Sequence, residues 1–200
     1  MPADQALSLL LPEIIPVSRV FLTLAVLSTL LLLTAVWLGL DLGDVRQLDP
    51  VIQKQVSIHL LMGVAAIVGA VLVHAIVLTY FMGTGRWLEE TSNAYQLAND
   101  WQKQSRELKW RVLPAMGTSL LLLISTGAFG GAADPASALG FKGFGPLSAA
   151  HVHLLVASVT VMFNLMVNVW EYNALSRNGQ LVNEVLQEVR RMRTERGLPV

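Results

Sequence analysis

The chain has no cysteine in its 200 residues. That excludes disulfide frameworks, thiolate nucleophiles, iron–sulfur clusters and covalent c-type haem attachment, all of which need the thiol. Charge is also scarce. Asp, Glu, Lys and Arg make up 14% of the chain, against about 25% in an average soluble domain. Acidic and basic residues balance at 14 each, so no positive excess points to nucleic acid. Catalytic motifs are absent as well. The sequence contains no HExxH, and no Ser–His–Asp set or intramembrane carboxylate pair can be assembled from it. The stretch from Gly83 begins like a GxGxxG phosphate loop. Leu88 stands at the third glycine position, however, and no strand pattern precedes it, which removes the nucleotide reading.

In place of charge the chain carries four long uncharged runs, and mean hydropathy is +0.54. Between Arg19 and Asp41 lie 21 uncharged residues, roughly 30 Å of helix, which matches a bilayer's hydrocarbon core. The runs predict spans at about 17–40, 56–82, 112–129 and 147–172. The expected fold is all-α: a single membrane domain built as a four-transmembrane-helix bundle. Residues 1–16, with Pro12 and Pro16, contain Asp4 and Glu13 and lack a basic leader pattern. They read as an interfacial lead-in to a retained first span rather than a secretory signal. Asp49-Pro50 reads as an N-cap followed by an N1 proline, and Pro114 as a kink early in span 3. Residues 130–146 are rich in glycine and alanine and read as a loop whose Phe141 and Phe144 dip into the interface. Trp87, Trp101 and Trp110 flank the spans as interfacial aromatics do.

Beyond span 4, Leu181, Val182, Val185, Leu186, Val189 and Met192 recur at helical spacing among Glu and Arg. This predicts an amphipathic helix in the 173–200 tail. It can pack on the 83–111 connection of its own chain, or serve with that connection as a docking surface for a membrane or cytoplasmic protein. Lys and Arg number five in the 83–111 connection and five after Tyr172. The two short loops together hold three: Arg46, Lys54 and Lys142. The positive-inside rule then places both termini, the long connection and helical extensions of spans 2, 3 and 4 in the cytoplasm, with the lipid bilayer of a cell inner membrane around the spans.

All four histidines fall in spans 2 and 4, and an ionisable side chain inside a membrane helix is a functional hypothesis in itself. His59 and His74 are 15 residues apart, an offset of about 60° around a helix and roughly 22 Å along it. His59, Gly63, Ala66, Ala70 and His74 form one stripe of small residues ending in two imidazoles. On span 4, His153, Ala157, Thr160, Asn164, Asn168 and Glu171 form a second, polar stripe that should face inward. Glu171 and Asn168 are candidates for a proton or ion path. His151 and His153 differ by about 200°, so a regular helix points only one of them at the interior, and His153 fits that face.

Three readings follow. In the first, His59 with His153 (or His151) holds a haem b near the outer face, with Gly63, Ala66 and Ala70 making room for the macrocycle. His74 is then a second-site candidate with Met162 or Met166. In the second, His59, His151 and His153 bind zinc or copper. In the third, the histidines are structural, with His74 hydrogen-bonded at the depth of Asn164, and the protein is a cofactor-free membrane scaffold or assembly subunit. The histidine spacing on span 2 resembles that of the cytochrome b and b6 family, whose helices carry haem-ligating histidines 14 or 15 residues apart. The positions 15 beyond His151 and His153 are Met166 and Asn168, so span 4 departs from that pattern. The stretches YFMGTGRWLEE and GAADP resemble uncharacterised four-span bacterial inner-membrane proteins, a likeness that implies no activity.

Overall fold

A computed structural model describes residues 17–43, 45, 49–98 and 100–199. The expected placement of residues 1–16, and Arg46 in the first short loop, lie outside the described residues. Four helices follow one another: α1 (Val17–Leu40), α2 (Pro50–Tyr95), α3 (Asp100–Ala133) and α4 (Ala149–Glu195). A two-stranded hairpin, β1 (Gly143–Phe144) with β2 (Leu147–Ser148), precedes α4. Each helix is long and apolar enough to cross a membrane, and together they have the architecture of an integral membrane protein.

The uncharged runs locate the crossing parts, but the helices continue past them. At 46 and 47 residues, α2 and α4 are each about 70 Å long, more than twice the hydrocarbon thickness. Local sequence sets their starts. Asp49 caps α2, its carboxylate accepting from Val51 N at 2.7 Å with Pro50 following. Ser148 caps α4, accepting from His151 N at 3.3 Å. Helix α3 passes through Pro114 and reaches Ala133, so Gly130 and Gly131 are helical rather than part of a loop. In the hairpin, Gly143 has φ +110°, and a Cβ there would meet the Leu147 carbonyl oxygen at 1.9 Å. Only glycine fits that position.

Helices α1 and α3 each pack against both α2 and α4, and α2 and α4 meet across the diagonal. Interior positions recur every three or four residues. On α1 they are Phe21, Ala25, Ser28, Leu32 and Ala35, with Leu22, Val26, Leu30 and Leu33 turned outward. Two apolar layers result. Leu32, Ala35, Ala66, Ala70, Leu123 and Val161 form one toward the short-loop end. Phe21, Val73, Val77, Phe81, Val112 and Met116 belong to the other, toward the opposite end. His74, Ser119, Asn164, Asn168 and Glu171 are buried near the junction of these layers.

Beyond the membrane, α2, α3 and α4 continue as a three-helix extension. Leu88, Leu181 and Val185 are fully buried there, so the apolar seam of the tail packs within its own chain. Ser105 Oγ donates to Asn178 Oδ1 at 2.6 Å, and Asn178 Nδ2 donates to Thr84 Oγ1 at 2.9 Å, tying the three helices together. Trp101 Nε1 donates to Glu184 at 3.0 Å. Because Leu181 is fully enclosed, Leu181→Ala should destabilise the extension by about 2–5 kcal/mol. Hydrogen exchange should then quicken across the extension while the spans stay protected; unchanged exchange would mean the tail is held elsewhere.

Candidate functional site

The bundle interior holds two sets of polar side chains at different depths. The first is at the short-loop end. His59 of α2 and His153 of α4 meet across the diagonal with ring centroids 6.1 Å apart and planes at 76°. His59 Nδ1 donates to the Ala35 carbonyl oxygen of α1 at 3.0 Å. That bond places the proton on Nδ1 and leaves Nε2 with a free lone pair, the state of a histidine ready to ligate. His153 Nδ1 is buried without a well-formed hydrogen bond, and the Thr126 backbone carbonyl is placed to accept a weak one from the ring. Each imidazole rests on a glycine. A Cβ on Gly39 of α1 would lie 2.9 Å from His59 Cε1, and one on Gly130 of α3 would lie 3.0 Å from His153 Cε1. Next to His59 on α2, a Cβ on Gly63 would meet nothing within 4 Å.

The second set is deeper. His74 Nδ1 lies 2.8 Å from Glu171 Oε1, and His74 Nε2 lies 3.1 Å from Ser119 Oγ and 3.0 Å from Asn164 Nδ2. Asn164 Nδ2 also donates to Ser119 Oγ at 3.0 Å, and Asn168 Nδ2 donates to Asn164 Oδ1 at 3.2 Å. These donors settle the tautomer. With Asn164 Nδ2 donating to it, His74 Nε2 is an acceptor, so the neutral ring carries its proton on Nδ1 and donates to Glu171. His74 and Glu171 are 1% and 0% exposed. In so dry a site a carboxyl–imidazole pair persists only when each partner satisfies the other.

The expected residues therefore separate. His59 and His153 come together, as the facing of spans 2 and 4 predicts. His74 has both ring nitrogens engaged by side chains of α3 and α4, and Met162 and Met166 are exposed, away from it. His151 is exposed, and its Nδ1 lies 2.9 Å from Ser148 Oγ at the start of its own helix. Among the described residues, no three His, Asp or Glu side chains converge as a metal set. Ala66 and Ala70 are fully buried in the apolar layer. The polar stripe of α4 faces inward, with Ala157, Thr160, Asn164, Asn168 and Glu171 all buried. Thr160 Oγ1 pairs with Thr126 Oγ1 at 2.7 Å. Sequence reasoning missed Ser119, Gly39 and Gly130. Their available signal was depth: a serine near mid-span in α3, and glycines near the same end as the histidines.

The pairing within the second set sets an order of effects. His74→Ala leaves Glu171 buried without its partner, a change that costs about 3–5 kcal/mol. Glu171→Gln, which keeps an acceptor oxygen without the charge, should cost less. Unfolding in mild detergent should rank the two variants in that order, and equal effects would contradict a coupled pair. No protein-family model matches the chain, and no curated protein or solved structure matches it.

Proposed function

We propose that the protein is an electron-transfer subunit of a cell inner membrane that holds one b-type haem between His59 and His153. The carrying observation is the geometry of that pair. The two rings meet with centroids 6.1 Å apart and planes at 76°, so His59 and His153 are the residues that would hold the group. The donor set agrees with this. His59 presents a free Nε2 fixed by the Ala35 carbonyl, and His153 has a buried ring nitrogen without a well-formed hydrogen bond. Beside His59 on α2, Gly63 borders open space, since a Cβ there would meet nothing within 4 Å.

A haem held this way supplies one-electron redox chemistry, tuned by its axial ligands and by the dryness of its site. The chain's own part is positional. Ala35 fixes the tautomer and orientation of His59. Gly39 and Gly130 let α1 and α3 close against the two rings. The apolar layer of Leu32, Ala66, Ala70 and Leu123 keeps water from the site. One haem is proposed rather than two, because both nitrogens of His74 are taken by Glu171, Ser119 and Asn164. The Lys and Arg bias puts the histidine pair near the outer face and the three-helix extension in the cytoplasm. Docking of a protein partner on that extension would use its charged outer positions, since its apolar seam is occupied.

Protein purified from haem-supplemented cells should show a reduced-minus-oxidised α band. His59→Ala and His153→Ala should each abolish it, while His74→Ala should retain it in whatever fraction folds. Gly39→Leu should weaken it by displacing His59. A colourless wild-type protein would overturn the proposal and leave the two imidazoles as a structural contact. Metal analysis of that protein would then test zinc and copper.

A further inference from the structure

Two buried oxygens in the second set have no hydrogen-bond partner in the chain: Asn168 Oδ1 and Glu171 Oε2. A polar atom left unbonded in a membrane interior is costly, and here two occur within one small network. Their residues are three apart on α4 and so share a face, with Cβ atoms about 5–6 Å apart. The remaining bonds all run in one direction. Asn168 Nδ2 donates to Asn164 Oδ1, Asn164 Nδ2 donates to His74 Nε2, and His74 Nδ1 donates to Glu171 Oε1. The second hydrogen of Asn164 Nδ2 goes to Ser119 Oγ. Asn168 Oδ1 stands at the start of this series and Glu171 Oε2 at its end. With Glu171 as a carboxylate, both of these oxygens are acceptors and neither can satisfy the other.

We propose that the second set is a proton-binding site: one proton on Glu171 Oε2, donated to Asn168 Oδ1, closes the four side chains into a ring. Each of Asn168, Asn164, His74 and Glu171 then donates once around the ring and accepts once, and neither oxygen is left over. Charge balance leads to the same proton. Glu171 is the one Asp or Glu in the stretches 20–40, 55–85, 112–133 and 143–176, which contain no Lys or Arg. The next charge along α4, Arg177, is six residues further on, roughly 9 Å, and is paired with Glu184. His74 does not supply a positive charge, because its Nε2 accepts from Asn164. A carboxylate here would be an isolated buried charge, far costlier than the neutral acid. A water donating to both oxygens would leave that charge in place. A metal cation would offset it, but hard cations take about six oxygens or more, and this network offers two.

The test is infrared spectroscopy of the full chain in lipid nanodiscs at neutral pH. The difference between wild type and Glu171→Gln should contain the carbonyl stretch of one carboxylic acid. A carboxylate stretch in its place would overturn the proposal. Asn168→Leu removes the acceptor that closes the ring, so the acid band should move to higher frequency, and an unmoved band would overturn the ring. Stability gives a second readout. Gln carries a carbonyl to accept from His74 and an amide to donate to Asn168, so Glu171→Gln should keep a Tm close to that of wild type. Glu171→Met can do neither and should melt clearly lower; equal losses in the two variants would overturn the proposal. The acid band should persist in His59→Ala, whose ring takes no part in this set.

Discussion

Hydrocarbon offers no hydrogen bonds, so each polar side chain inside the spans must find its partner on another helix or within its own. Helix α4 carries most of these groups, and the rest of the bundle is registered to them. Glu171 fixes the depth of His74, and Asn164 fixes that of Ser119. Thr160 pairs with Thr126 one level nearer the short loops. Asn178 does the same with Thr84 and Ser105 in the extension. Apolar layers between these levels fit many registers about equally well, because leucine packs against leucine at any offset. The polar levels admit one.

That constraint gives the histidines different meanings. His74 lies among groups that use every valence its ring has. Its energetic role is plain without any ligand, because it supplies the hydrogen bond that buried Glu171 Oε1 would otherwise lack. The pair at the short-loop end is built otherwise. One imidazole is anchored through a single nitrogen and the other has a nitrogen without a well-formed hydrogen bond. Glycines on the neighbouring helices bring backbone against both rings.

The four crossing helices were legible because lipid exposure demands long uncharged runs, and Asp49-Pro50 marked a helix start through local hydrogen bonding alone. The inward face of α4 was legible from the spacing of Asn164, Asn168 and Glu171. The helical extensions of α2, α3 and α4 past the uncharged runs were legible as well, that of α4 from the spacing of Leu181, Val185 and Val189; their exact ends were not, because contacts such as that of Leu88 form only in the packed bundle. The pairing of His74 with Asn164 was readable as shared depth. Its bond to Glu171 was less so, because it depends on how far α4 is shifted against α2, which only the packed bundle determines. His151 reads as a site residue by type and is a helix-start residue by position. Gly39 and Gly130 carry no chemistry of their own, and their role follows only from which ring each one touches.

The central claim is that His59 and His153 act together as two axial ligands. Low-temperature electron paramagnetic resonance of the oxidised, haem-reconstituted protein tests it most directly, because it reports both ligand number and the angle between the ligand rings. With imidazole planes at 76°, the expected result is a low-spin signal of the strongly anisotropic kind that near-perpendicular ligands produce, lost in His153→Ala. A high-spin signal, or failure of the protein to retain haem at all, would contradict the account.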